Sequence, residues 1–160
     1  MEIDDQRFNL VRKRAEEEYE KIGKVKCPYL NDYVNFNTIG FQHLLFKDWN
    51  KTRLRTEQYI RLKLIKLAPL VISKSHTLQE FDECKIFIRQ KINSRWESRI
   101  KIVRYYVFVA IINEARIKVI VKGIEGGGKI FYSLYPSWKV VVDVNGQKKK
   151  KFYSGDLESD

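Results

Sequence analysis

The chain is poor in the residues on which cross-linked and metal-bearing proteins depend. Two cysteines, three prolines, one methionine and two histidines are all that its 160 residues contain. Cys27 and Cys84 stand far apart and in no CxxC arrangement, which signals neither a disulfide framework nor a zinc site. Long apolar runs are missing as well. The longest, Tyr105 to Ile112, spans eight residues, far below the ~20 that a membrane helix requires, and reads as a buried strand. Met1 to Arg14 holds Glu2, Asp4 and Asp5 with no apolar segment, so a secretory signal is not expected. These absences lead to the expectation of a cytoplasmic protein with no membrane association. No HExxH motif, GxSxG elbow or acidic metal cluster is found, so metallohydrolase and serine-hydrolase readings have no support, and neither a metal nor a cofactor is expected. Gly126-Gly-Gly128 lacks the GxxxxGK[ST] spacing of a phosphate loop and precedes strand-like residues, so it reads as a turn.

Positive charge is what the chain has in excess. Lysine and arginine number 31 against 20 acidic residues, a formal net charge of +11. The resulting field recruits polyanions, nucleic acid first among them. The same charge also serves solubility, an acidic protein partner or an anionic membrane, and it names no reaction. At 44% hydrophobic content, the chain suffices for one core and reads as one domain.

Periodicity divides the chain into a helical part, about 1–83, and a sheet, about 84–153, followed by an acidic tail. Phe8, Val11, Ala15, Tyr19 and Ile22 recur at three- and four-residue spacing, predicting a first helix that stops at Gly23. Tyr33, Val34 and Phe36 suggest a short extended piece. Thr38 is a candidate cap for a helix from about Gly40 to Lys47. A helix after Thr56 carries Ile60, Leu64, Leu67 and Val71 as its apolar stripe, with Pro69 ending or kinking it. Thr77-Leu-Gln-Glu80 has the capping-box form and predicts a short helix over Leu78 to Glu83. From Lys85 the period falls to two, and Asn113-Glu-Ala115, Glu125 to Gly128 and Asn145-Gly146 mark hairpin turns. The expected fold is α+β, with N-terminal helices packed on a four-stranded or slightly larger antiparallel sheet.

RNA can be cut without a metal, because its own 2′-hydroxyl attacks the adjacent phosphate once a base takes the proton and cations hold the developing charge. On a helical wheel His43 falls almost opposite Phe41, Leu44 and Leu45 and near Lys47. It is therefore expected to point away from the core face, where it serves as general base or acid or is simply solvated. His76, within Ser73 to Thr77, reads as loop or capping context. Arg53 and Arg55 fall in a linker, where a guanidinium clamps a phosphate in bidentate fashion or remains plain surface charge. Lys118 and Lys122 share the strand face opposite Val119 and Val121. Lys122 and Ser133 flank the glycine turn almost symmetrically, which draws them together across the ladder. Lys47, Lys118, Arg104 and Trp138 are candidates for contacting RNA, Trp138 by stacking on an unpaired base.

Two segments, Tyr33-Val-Asn-Phe-Asn-Thr-Ile-Gly-Phe-Gln-His-Leu-Leu-Phe46 and Ile117-Lys-Val-Ile-Val-Lys-Gly-Ile124 with Lys129-Ile-Phe-Tyr-Ser-Leu134, flank a Leu-rich helix ending in Ala68-Pro-Leu70. In this order the chain resembles the phage-type branch of the barnase/EndoU/colicin/RelE-like (BECR) nuclease superfamily, over roughly Tyr33 to Trp138. The resemblance implies metal-independent RNA cleavage and use as a toxin neutralised by a partner, here an acidic antitoxin or immunity protein. It maps catalytic roles to His43, Arg53 or Arg55, Lys122 and Ser133. Some relatives carry a histidine in the last strand where this chain has Ile130, which argues against a two-histidine acid/base pair. The function expected is therefore a metal-independent endoribonuclease of the toxin type. A non-catalytic RNA-binding module and a protein that engages an acidic partner are the alternatives.

Overall fold

The computed structural model describes residues 2–47, 51–112, 115–136, 138–142, 145–146 and 148–152, with 138–142 and 148–152 described by their backbone alone. Helix α1 (Asp5–Glu20) opens on Asp4, whose carboxylate accepts from the amides of Gln6 and Arg7 and so occupies two of the donors that a helix start leaves over. Phe8, Ala15 and Tyr19 are its buried stripe, as the spacing predicts. Gly23, at φ +67°, then turns the chain into β1 (Lys24–Cys27), which pairs antiparallel with β2 (Asp32–Asn35).

Helix α2 (Thr38–Leu45) follows, capped by Asn37, whose side chain accepts from the Gly40 amide. The cap thus lies one residue before Thr38. Helix α3 (Arg55–Leu64) runs through a 3-10 turn (Ile65–Leu67) into α4 (Ala68–Lys74), which has proline in its first turn. Pro69 breaks the helix in two, as its missing donor requires. The stripe of α3 is rotated from the expected phase, for Ile60 is exposed while Tyr59, Arg61 and Leu62 are buried.

Strands β3 (Glu80–Ile92), β4 (Arg95–Ile112), β5 (Ala115–Ile124) and β6 (Lys129–Pro136) form an antiparallel meander. A six-stranded sheet results, in the order β1-β2-β6-β5-β4-β3, with one parallel contact where Val34 and Asn35 of β2 meet Lys129 and Ile130 of β6. The fold is α+β. Strands β7 (Trp138–Val142) and β8 (Lys148–Phe152) form a separate two-stranded ladder around the Asn145-Gly146 turn. Among the described residues no helix is long and apolar enough to cross a membrane.

The short helix expected over Leu78 to Glu83 is not formed. Glu80 begins β3 instead, and every residue of that strand is in register with β4, from Glu80 opposite Val107 to Ile92 opposite Arg95. The Thr77 hydroxyl accepts from the Gln79 side chain, and the Glu80 carboxylate pairs with Lys118. A capping box contributes about 1 kcal/mol, which a thirteen-residue ladder easily outweighs.

The helices cover one sheet face. Val119, Val121, Phe131, Leu134 and Phe108 pack there with Tyr19, Phe41, Leu44 and Ile72. On the other face Val103, Tyr105, Val107, Ile120, Tyr132 and Tyr135 form a second cluster. Because β2 meets only the start of β6, the β6 edge beyond Ile130 is taken over by α2 and α3. That replacement of a strand by two helices positions the site.

Candidate functional site

Closest to the sheet, α2 carries a glycine. A Cβ built on Gly40 would lie 2.4 Å from the Phe131 carbonyl oxygen and 2.6 Å from the Tyr19 hydroxyl. This close approach, together with the Tyr19 hydroxyl donating to the Asn37 carbonyl at 2.6 Å, seats α2 against β6 and brings His43 onto Tyr132. The two rings stack with centroids 4.1 Å apart. His43 is 8% exposed, so although it leaves the Phe41, Leu44 and Leu45 face as expected, it is packed on Tyr132 and not solvated. One side of α2 meets the main core and the other meets β6, and a wheel of one helix does not see the second neighbour.

Arg53 is held against the end of α2. Its amide donates to the Leu45 carbonyl, its Nε to the His43 carbonyl at 2.9 Å, and its own carbonyl accepts from the Gln58 side chain. Arg53, through its guanidinium and its backbone amide, thereby satisfies two carbonyls that a helix C-terminus leaves over. The terminal nitrogen of the same guanidinium lies 3.5 Å from His43 Nδ1, while the Lys47 backbone carbonyl favours a proton on the ring. Nε2 is buried and has no hydrogen-bond partner among the described residues, which makes it the ring nitrogen with an unused lone pair or proton.

The sheet supplies the remaining groups through a β-bulge. Ile120 faces Ser133 while Val121 faces Phe131, so Tyr132 is the extra residue. The bulge lets Phe131 join the helix-side core while Ser133 and Tyr132 serve the other side. Lys122, opposite Tyr105 in the ladder, places its ammonium 5.1 Å from the Tyr132 ring centre and 5.7 Å from that of Tyr105, a cation–π arrangement. Lys122 and Ser133 are offset along the ladder, since Lys122 opposes Ile130. From α3, Arg61 reaches over to donate to Ser133 Oγ at 2.7 Å and to the Leu134 carbonyl at 3.2 Å, its guanidinium 5.2 Å from the Tyr135 ring centre.

These groups act on one another electrically. Burial, then the cations of Arg53, Arg61 and Lys122, push the His43 pKa down to about 3. The imidazole is therefore neutral at physiological pH and accepts a proton instead of giving one. An anion placed among the three cations offsets their part of the depression and makes the ring a better base.

The depressed pKa is also a stability statement. An unfolded histidine takes its proton near pH 6.5 and the folded one near 3, so the contribution of neutral His43 is complete above about 6.5 and is lost as pH falls towards 3. The folding equilibrium constant should drop by more than tenfold in all as the pH is lowered from 6.5 to 5, nearing tenfold per unit at the lower end. Urea unfolding of the wild type and of His43→Gln across this range measures it. An equally steep slope in the variant would assign the effect to another group.

Of the residues singled out from the sequence, His43, Arg53 and Lys122 come within electrostatic reach of one another, and Ser133 is tied to them through Arg61, not by meeting Lys122 across the ladder. Arg55 does not join them. It pairs with Asp5 of α1 and lies over the Phe8 ring at 4.8 Å. Lys118 is buried and bound to Glu80, and Arg104 pairs with Glu83 at 2.9 Å, so both are engaged by carboxylates of β3. Lys47 is half-buried at the end of α2, and the side chain of Trp138 lies outside the described residues. His76 is exposed and lines a cleft between α4 and β4, away from the cluster.

Arg61, Tyr105 and Tyr132 were not expected. Arg61 had a visible signal, since Arg61, Ile65, Ala68 and Ile72 are spaced at four, three and four, and all are buried. A cation in core phase among apolar residues has to be there for a partner. The tyrosines carried no such mark.

No protein-family model, curated protein or solved structure matches this chain. The site is accordingly read from its own chemistry.

Proposed function

We propose that the protein is a metal-independent endoribonuclease whose site is the His43, Arg53, Arg61, Lys122 and Ser133 cluster. The observation that carries the reading is the placing of three cations about one buried imidazole: Arg53 lies 3.5 Å from Nδ1, Lys122 lies over the Tyr132 ring that stacks on His43, and Arg61 bonds the neighbouring Ser133. In this reading an RNA phosphate lies among Arg61, Lys122 and Ser133. His43 Nε2 takes the proton of the adjacent 2′-hydroxyl and the 2′-oxygen bonds to phosphorus. The bond from phosphorus to the 5′-oxygen breaks, and that oxygen leaves with a proton from water. The products are a 2′,3′-cyclic phosphate and a 5′-hydroxyl. Arg53 acts as a positioning residue that ties the end of α2 through the His43 and Leu45 carbonyls, and a proton on Nδ1 leaves the Nε2 lone pair to act as the base.

End-labelled single-stranded RNA incubated with the protein in excess EDTA should yield fragments ending in a cyclic phosphate, and a strand with 2′-deoxyribose at the cut position should stay whole. The low pKa of His43 favours one second reading, an RNA-binding module in which the imidazole only packs. Intact RNA bound with a log-log salt slope of about −0.7 per phosphate contact on single strands would establish the module and overturn the nuclease.

A further inference from the structure

Pairing with β5 begins at Val103, so the stretch of β4 from Arg95 to Lys101 has β3 alone beside it and projects from the sheet as a two-stranded ribbon. Directly opposed residues share a face. Phe87 opposes Ile100, Arg89 opposes Ser98 and Lys91 opposes Trp96, which gathers Phe87, Arg89, Lys91, Trp96 and Ile100 on one side. Phe87 is 78% exposed, Trp96 61% and Ile100 59%. A ribbon this short draws little stability from bare rings, and a flat apolar edge invites aggregation, so the rings ask for a ligand. Its nature follows from charge. Between Lys85 and Lys101 the ribbon carries Lys85, Arg89, Lys91, Arg95, Arg99 and Lys101 against one carboxylate, Glu97, which Arg99 approaches at 3.5 Å. Arg89 lies over the Trp96 ring at 5.6 Å.

We propose that the distal β3–β4 ribbon is an arm that binds unpaired RNA, with bases stacking on Trp96 and Phe87 and phosphates held by Arg89 and Lys91. The two rings stand about four residues apart along the ladder, roughly 13 Å, so one strand reaches both. Rings flanked by cations suit a single strand, whose bases offer free faces, and not a duplex, whose bases are already stacked. The proposal takes its ligand class from the nuclease reading but does not require cleavage.

The test is fluorescence anisotropy of the full chain with a labelled 20-nucleotide oligouridylate and with an RNA duplex, at several salt concentrations. Base–aromatic stacking sets the scale, so Phe87→Ala/Trp96→Ala should weaken single-strand binding by about tenfold or more, with duplex binding changed less than about twofold. Trp96→Tyr, which keeps a stacking ring, should stay near wild type. Arg89→Ala/Lys91→Ala should flatten the single-strand salt slope by about 1.4. Wild-type affinity in the double ring variant would overturn the arm and leave the nuclease reading standing. A wild-type chain that binds neither RNA would overturn both. Unchanged RNA affinity with reduced self-association of the ring variant would assign the patch to protein contacts, also against the arm.

Discussion

Replacing Lys122 with alanine is expected to leave the fold intact and to slow RNA cleavage by roughly 10²- to 10³-fold, the usual cost of removing one fixed group that stabilises transition-state charge. Lys122 is half-buried, with its ammonium beside the rings of Tyr105 and Tyr132. Cation–π contacts contribute about 0.5 to 2 kcal/mol, which a domain of ordinary stability survives. The charge also bears on His43, whose pKa it helps to depress. Lys122→Ala should therefore move the His43 titration upward in an NMR pH series, an effect that loss of packing alone does not produce. Lys122→Arg keeps the charge and should retain the depressed titration. Full cleavage by the alanine variant, with the His43 titration shifted, would separate the electrostatics from the catalysis and count against the nuclease assignment.

The second large effect is structural. Gly40→Ala is expected to destabilise the domain by about 1 to 3 kcal/mol or more, the range for overpacking a close contact, and to abolish cleavage by the fraction that still folds. The added methyl would meet the Phe131 carbonyl oxygen at 2.4 Å and the Tyr19 hydroxyl at 2.6 Å. The first is backbone within the sheet and the second is fixed by its bond to the Asn37 carbonyl, so neither gives way cheaply. Helix α2 must move out, and His43 leaves Tyr132 with it. Gly123→Ala is the control, since its nearest neighbour would be at 3.5 Å, an ordinary contact. Equal urea midpoints for the two variants would show that α2 is not seated as described.

The buried setting of His43 decides which substitution tests its chemistry. A solvated histidine can be replaced at no cost, whereas one stacked on Tyr132 and 8% exposed takes packing with it when truncated. His43→Ala therefore mixes loss of fold with loss of chemistry. His43→Gln, closer in volume and still polar, is the cleaner variant, and stability and cleavage have to be read on the same preparation.

Local pattern was enough for much of this molecule. The spacing of Phe8, Ala15 and Tyr19 set α1, Pro69 divided the long helical run, and the alternation around Val119 and Val121 placed the strand with both valines in the core. Each depends on interactions within a few residues: a helix period, a missing donor, a pleat. The basic excess pointed to a polyanion, His43 was nameable as one of only two histidines, and Lys122 and Ser133 were nameable by their places about the glycine turn. What tertiary structure alone decided lies at the β6 edge. There β2 stops pairing, α2 and α3 replace it, and a bulge re-aims Tyr132 and Ser133. These choices buried His43 on its second side, brought Arg61 to Ser133 and sent Arg55 to Asp5. They also drew Glu80 into a strand, although Thr77 to Glu80 is spelled as a helix start. The reason is the same throughout: a contact between segments distant in sequence outweighs a preference of about 1 kcal/mol or less in any one residue, and no window of the sequence contains both partners.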